Sequence, residues 1–244
     1  MIPAIKSELL KLLTVRSTYV ISLISLAIII FFAGYVEGYK LDAGGLNNPG
    51  HLGTEIVNAA SNISIFLAII AILLFSHEYR YNTIMYTLTS INRRTKVLLA
   101  KIIVMTGFAA VFIAVMSIVS PIASSVGIHM AGHSLVEQTI SFGDLWWRAL
   151  FTGWAYAMVG LLIVALVRNQ VFAIVALFII PSTVEPLLGL LLKQNVVYLP
   201  FTAITAVVQK SPDISFTKAA FVATAYLVIG WIIAWLLFLR RDAN

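Results

Sequence analysis

The chain has 244 residues, of which 61% are hydrophobic and 11% charged, against roughly 45–50% apolar and about 25% charged in an ordinary soluble domain. A water-soluble fold of this length cannot hide so much apolar surface, so lipid is the solvent for most of the chain. Sixteen Lys and Arg against ten Asp and Glu leave a formal net charge of +6, which in a membrane chain reads as a topology signal and not as a nucleic-acid surface. The absence of cysteine excludes disulfide frameworks, thiolate metal sites and cysteine nucleophiles, and the apolar content excludes disorder.

Crossing ~30 Å of hydrocarbon takes about 20 apolar helical residues, and charge-free runs of that length place six spans, near 17–36, 56–76, 97–126, 149–167, 171–192 and 219–239. The expected fold class is therefore all-α, a polytopic membrane protein forming one domain over 1–244. Ahead of the first span, Pro3 to Arg16 has Ile5, Leu9, Leu12 and Leu13 at i, i+4, i+7 and i+8, with Lys6, Glu8 and Lys11 off that face. This predicts a helix over 1–16 lying at the interface; the plainer alternative is an extension of the first span. The first apolar run, Ser17 to Val36, is full-length and lacks a small-residue cleavage pattern, so it is expected to stay as a span.

The second span lies between Glu55 and His77, and the third runs from Lys101 to about Val126, with Pro121 an expected kink. The fourth, Ala149 to Val167, sits between Arg148 and Arg168. The fifth begins at Val171 and carries Pro181, Glu185 and Pro186, so its second half is expected to be bent or broken. The sixth, Ala219 to Leu239, is closed by Arg240 and Arg241. With the N-terminus inside, the inner segments hold eleven Lys and Arg and the outer segments five, which predicts cytoplasmic N- and C-termini.

Between the second and third spans, the segment 77–96 places Tyr81, Ile84, Met85 and Leu88 at i, i+3, i+4 and i+7, the spacing of a short amphipathic helix. Glu78 suits the start of such a helix, and Arg93 and Arg94 its end. On pattern alone this is a surface helix with an ordinary basic end. The order Glu78, Thr83, Leu88, Arg93 or Arg94, and Lys101 nevertheless resembles the type-2 ABC transporter permease family, whose usual Gly before the Thr is Asn82 here. The opening Lys6-Ser7-Glu8-Leu9-Leu10-Lys11 is similar to that family's N-terminal elbow helix, and six spans fit its permease subunit.

The resemblance implies a cytoplasmic coupling helix in 77–96 that docks on a separate ABC ATPase subunit through Glu78, Arg80, Asn82, Thr83, Ile84, Met85, Leu88, Arg93 and Arg94. It also implies an elbow helix seated by Ile5, Leu9, Leu12 and Leu13, and a second copy or a related permease completing the path. The chain carries no G-x-x-x-x-G-K-[ST] phosphate loop, so ATP and Mg are expected on the partner and no cofactor on this chain. The resemblance further implies export across a prokaryotic plasma membrane, with an amphiphilic peptide, antibiotic or lipid-like molecule as cargo. No nucleic-acid partner is expected.

Glu185 is the intramembrane ionisable residue that stands out, ~21 Å of helix rise past Val171. As a functional site it would carry a proton or cation in a gradient-driven transporter; the plainer reading is an acid near the outer interface on a broken helix, with Lys193 as partner. His129 and His133 are four apart, but Gly127 and Gly132 argue against one helix presenting both to a metal. An intramembrane enzyme is the remaining alternative, disfavoured by the absence of H-E-x-x-H and G-x-S-x-G.

Overall fold

The computed structural model describes residues 1–80, 94–139, 142–209 and 213–240. Among these, all regular structure is helical, and six helices are long and apolar enough to cross a membrane. Helix α1 is Ile2–Thr14, and α2, Arg16–Ile29, continues as a π-helical stretch, Ile30–Tyr39. A short α3 (Ala43–Leu46) leads to α4 (His51–Arg80), α5 (Arg94–Met130) and α6 (Phe142–Val167). Then follow α7 (Gln170–Ile179), a π turn at Ile180–Val184, α8 (Glu185–Leu192) and a 3-10 segment, Lys193–Tyr198. Helices α9 (Pro200–Val208) and α10 (Phe216–Arg240) complete the fold.

Burial separates the spans into core and periphery. In the second span 67% of the most apolar stretch is buried, against 17% in the first and fifth. Without a hydrophobic force between helices in lipid, close approach needs small residues. Gly160 of α6 lies against the Ala68 backbone of α4, where a Cβ would come within 2.4 Å of the carbonyl oxygen. Around this contact Ile63, Leu67, Ala71, Ala157 and Leu161 are fully or almost fully buried.

The first span is attached to the third in the same way. Gly34 and Gly38 of the π-helical stretch meet Ala123, Ser124 and Gly127 of α5, and a Cβ on Gly127 would fall 1.9 Å from the Gly34 carbonyl oxygen. Helix α5 carries Pro121 within it and runs four residues beyond Val126 before Gly132 turns the chain at a φ of 78°. That turn lies between His129 and His133, so the two do not share a helix. The outgoing segment then returns along the loop before α4, with the Thr139 N–H donating to the Pro49 carbonyl at 2.8 Å.

The fifth span does change geometry in its second half. Pro181 lies in the π turn and Pro186 in the first turn of α8, as expected where proline removes a donor from the helical ladder.

Candidate functional site

Four side chains of opposite charge meet where α1, the end of α4 and the start of α5 come together. Lys11 Nζ lies 2.8 Å from Glu8 Oε1, and Lys101 Nζ lies 2.7 Å from Glu8 Oε2 and 3.0 Å from Glu78 Oε2. A fourth contact, Lys11 to Glu78, closes a ring in which the charges alternate. The Glu8 side chain is 0% and that of Lys101 1% exposed, while Lys11 is 33% exposed. Two carboxylates against two ammonium groups leave the ring neutral, which is what permits such burial. Lys101 also sits 5.2 Å above the Phe75 ring, adding a cation–π contact.

Local sequence explains how each member arrives. On α1 the buried positions are Ala4, Glu8 and Leu12, a four-residue repeat along one stripe. Glu78 falls in the last turn of α4, and Lys101 in the second turn of α5. Burial works against the charge of Lys11, but its hydrogen bonds and charge pairing with Glu78 and Glu8 outweigh that. The ammonium therefore holds its proton above the ordinary lysine value of 10.5.

The helix is rotated relative to the apolar stripe read from sequence. Leu12 is buried and Ile5 packs against the core, whereas Leu9 and Leu13 are exposed, and Glu8 and Lys11 turn inward instead of away. The physical reason is the partner surface: Lys101 and Glu78 offer opposite charges on the bundle side, and an apolar flank can face lipid at no cost. Glu78 likewise lies in the last turn of α4 and pairs with two lysines.

Of the other coupling residues, Arg80 closes α4 and Arg94 opens α5. Asn82, Thr83, Ile84, Met85, Leu88 and Arg93 lie outside the described residues. The ring therefore stands at both roots of the segment 81–93.

Glu185 is buried at 3% exposure. Its carboxylate accepts hydrogen bonds at 2.7 Å from the Phe201 and Thr202 N–H groups and from the Thr202 hydroxyl. These are donors at the N-terminus of α9, where the helix has no partners of its own and favours an anion. Lys193 is exposed and makes no ion pair with it. The carboxylate has the geometry of a helix cap supplied from a neighbouring helix.

A second buried polar set escaped sequence reading. Helix α4 begins at His51, so Glu55 enters the bundle at 2% exposure instead of bounding it. His51 Nε2 lies 3.0 Å from Ser124 Oγ, and the Ser120 hydroxyl donates to Glu55 at 3.4 Å. The Ser120–Ser124 spacing, one turn on α5, is the signal that could have found this face.

Comparison with curated proteins gives no significant match. The family model described as ABC-2 family transporter protein matches residues 4–183, which includes Glu8, Lys11, Glu78 and Lys101. This stretch is well over half of the 244 residues, and the six membrane-capable helices agree with it. The chain belongs to the ABC-2 family of transporter proteins and is, as such, a membrane permease subunit of an ABC transporter.

Proposed function

We propose that the chain is the permease of an ATP-driven exporter in a prokaryotic plasma membrane, with both termini cytoplasmic and a separate ATPase docked on the segment 77–96. ATP and Mg bind that partner, and a second copy or a related permease completes the path. The observation that carries this reading is the buried ring of Glu8, Lys11, Glu78 and Lys101. It stiffens both roots of the 81–93 segment, and a displacement applied to a rigidly rooted loop is passed into the helices as a rigid-body movement.

Two apolar grooves among the described residues suit the apolar part of an amphiphilic cargo such as a peptide, antibiotic or lipid-like molecule. One, of about 500 Å³, lies between the first and third spans at Gly34, Tyr35, Ala123 and Val126. The other, of about 510 Å³, is lined by Leu98, Ile102, Trp154, Met158, Trp231 and Trp235.

The test is purification of a tagged permease from its native membrane and mass spectrometry of what accompanies it. A stoichiometric chain with a phosphate-binding loop and ATPase activity is expected. The variant Ile84→Asp with Leu88→Asp should insert normally and lose that chain. Retention of the ATPase by the double variant would remove the basis for docking at this loop.

A further inference from the structure

Helix α1 is covalently joined to the first span, yet, apart from the Glu8–Lys11 pair within it, its ion pairs among the described residues run to α4 and α5. The joint is one residue, Val15, with φ −76° and ψ 121°, extended backbone that ends α1 and starts α2. Across the joint run a Thr18 N–H to Val15 carbonyl bond of 3.1 Å and an exposed bond from the Tyr19 hydroxyl to the Leu13 carbonyl. By contrast Glu8 is held by Lys101 of α5, and Lys11 is bound by Glu78 of α4. Those are the two helices that lead into and out of the 81–93 segment.

We infer that Glu8 and Lys11 are positioning residues of the coupling site: they bolt α1 to both roots of the loop, so that α1 travels with the loop and hinges at Val15 against the first span. This rests on the loop's being the ATPase contact. The argument is one of relative stiffness. Displacing α1 from α4 and α5 breaks several contacts of the ring together and leaves buried charge without a counter-charge, which is strongly unfavourable. Changing the direction of the chain at Val15 asks only for rotation about one residue's soft backbone dihedrals. When the loop root moves, the joint yields before the ring, and the movement of α1 is delivered to the start of the first span.

The chain has no cysteine, so nitroxide pairs can be placed at will on exposed positions. Ser7→Cys with Lys96→Cys reports α1 against the loop root, and Ser7→Cys with Val20→Cys reports α1 against the first span. Distances are read by electron paramagnetic resonance in nanodiscs, first for the permease alone and then for the purified complex with and without Mg-ATP. In the permease alone, Glu8→Gln should broaden the Ser7–Lys96 distribution. Adding Lys101→Met, which restores charge balance with Lys11 and Glu78, should narrow it again. In the complex, Mg-ATP should shift the Ser7–Val20 distance and leave Ser7–Lys96 unchanged.

A Ser7–Lys96 distribution indifferent to Glu8→Gln would overturn the inference, as would one that shifts with Mg-ATP while Ser7–Val20 holds still, or no nucleotide response in either pair. If no ATPase accompanies the permease, the coupling function fails instead. The permease-alone measurement then still decides whether the ring bolts α1.

Discussion

Neutralising Glu8 should undock α1 far more than neutralising Glu8 and Lys101 together. Glu8→Gln leaves two ammonium groups sharing Glu78, with Lys101 only 1% exposed. Removing one partner of a buried ion pair costs about 3–5 kcal/mol because the remaining charge is uncompensated. Adding Lys101→Met returns one positive and one negative group, Lys11 and Glu78, and replaces the buried stem by an apolar one of similar length. The double variant should then lose only about 1 kcal/mol of α1 docking, roughly 2–4 kcal/mol less than Glu8→Gln alone, as expected for non-additive sites that touch. The assay is the rate at which a cysteine at Ala4→Cys, on the buried face of α1, reacts with a bulky polar maleimide in solubilised protein. That rate follows the undocked population when opening is fast. Glu8→Gln should therefore raise it by about two orders of magnitude or more, and the double variant should return to within about tenfold of the parent, since ~1.4 kcal/mol is a factor of ten. Labelling of the double variant as fast as, or faster than, that of either single variant would refute a charge-balanced ring.

The Lys11 ammonium is held above 10.5 in the folded protein. Its contribution to α1 docking is therefore complete below the unfolded value and is lost as pH rises through the raised folded one. Ala4→Cys accessibility, read by a probe stable to alkali, should stay flat through neutral and mildly alkaline pH and rise only above the ordinary lysine range. Gly127→Ala places a methyl against the Gly34 carbonyl, whereas at Gly107 a Cβ meets nothing within 4 Å. Thermal unfolding in detergent should show a loss of about 1–3 kcal/mol or more for the first and no loss for Gly107→Ala, and equal stability of the two would contradict the glycine contact. Glu185→Gln puts an amide N–H₂ against helix N-terminal donors and should cost about 1–3 kcal/mol in stability while transport keeps its pH profile. A variant stable as the parent but unable to transport would instead mark Glu185 as a carrier.

Much of this architecture is legible in the sequence because each signal is local. A span is a property of some twenty consecutive residues, and six charge-free runs report it whatever their neighbours do. The broken fifth span is equally local, since Pro181 and Pro186 remove backbone donors wherever they stand. The likeness of the stretch from Glu78 to Lys101 to a permease motif pointed to the family that the family model matches over residues 4–183. The same reading put Glu8 on the wrong side of its helix, because an apolar stripe tells which residues avoid water and is silent on whether they meet lipid or protein. In lipid both are permitted, so the choice passes to the polar partners.

Those partners are what tertiary structure decided. Glu8 and Lys101 are 93 positions apart and Lys11 and Glu78 are 67 apart, and each taken singly is an ordinary charge near a membrane boundary. Only packing of α1 into the angle between α4 and α5 makes them one neutral buried ring. Likewise Glu185 reads in isolation as an ionisable group at membrane depth, and the arrival of the α9 N-terminus turns it into a cap. The sequence alone determined that the chain lives in lipid and how many times it can cross. Which charges face one another depended on helix rotation and on close approach at glycines. These are set by contacts between residues far apart in the chain, beyond the reach of any local pattern.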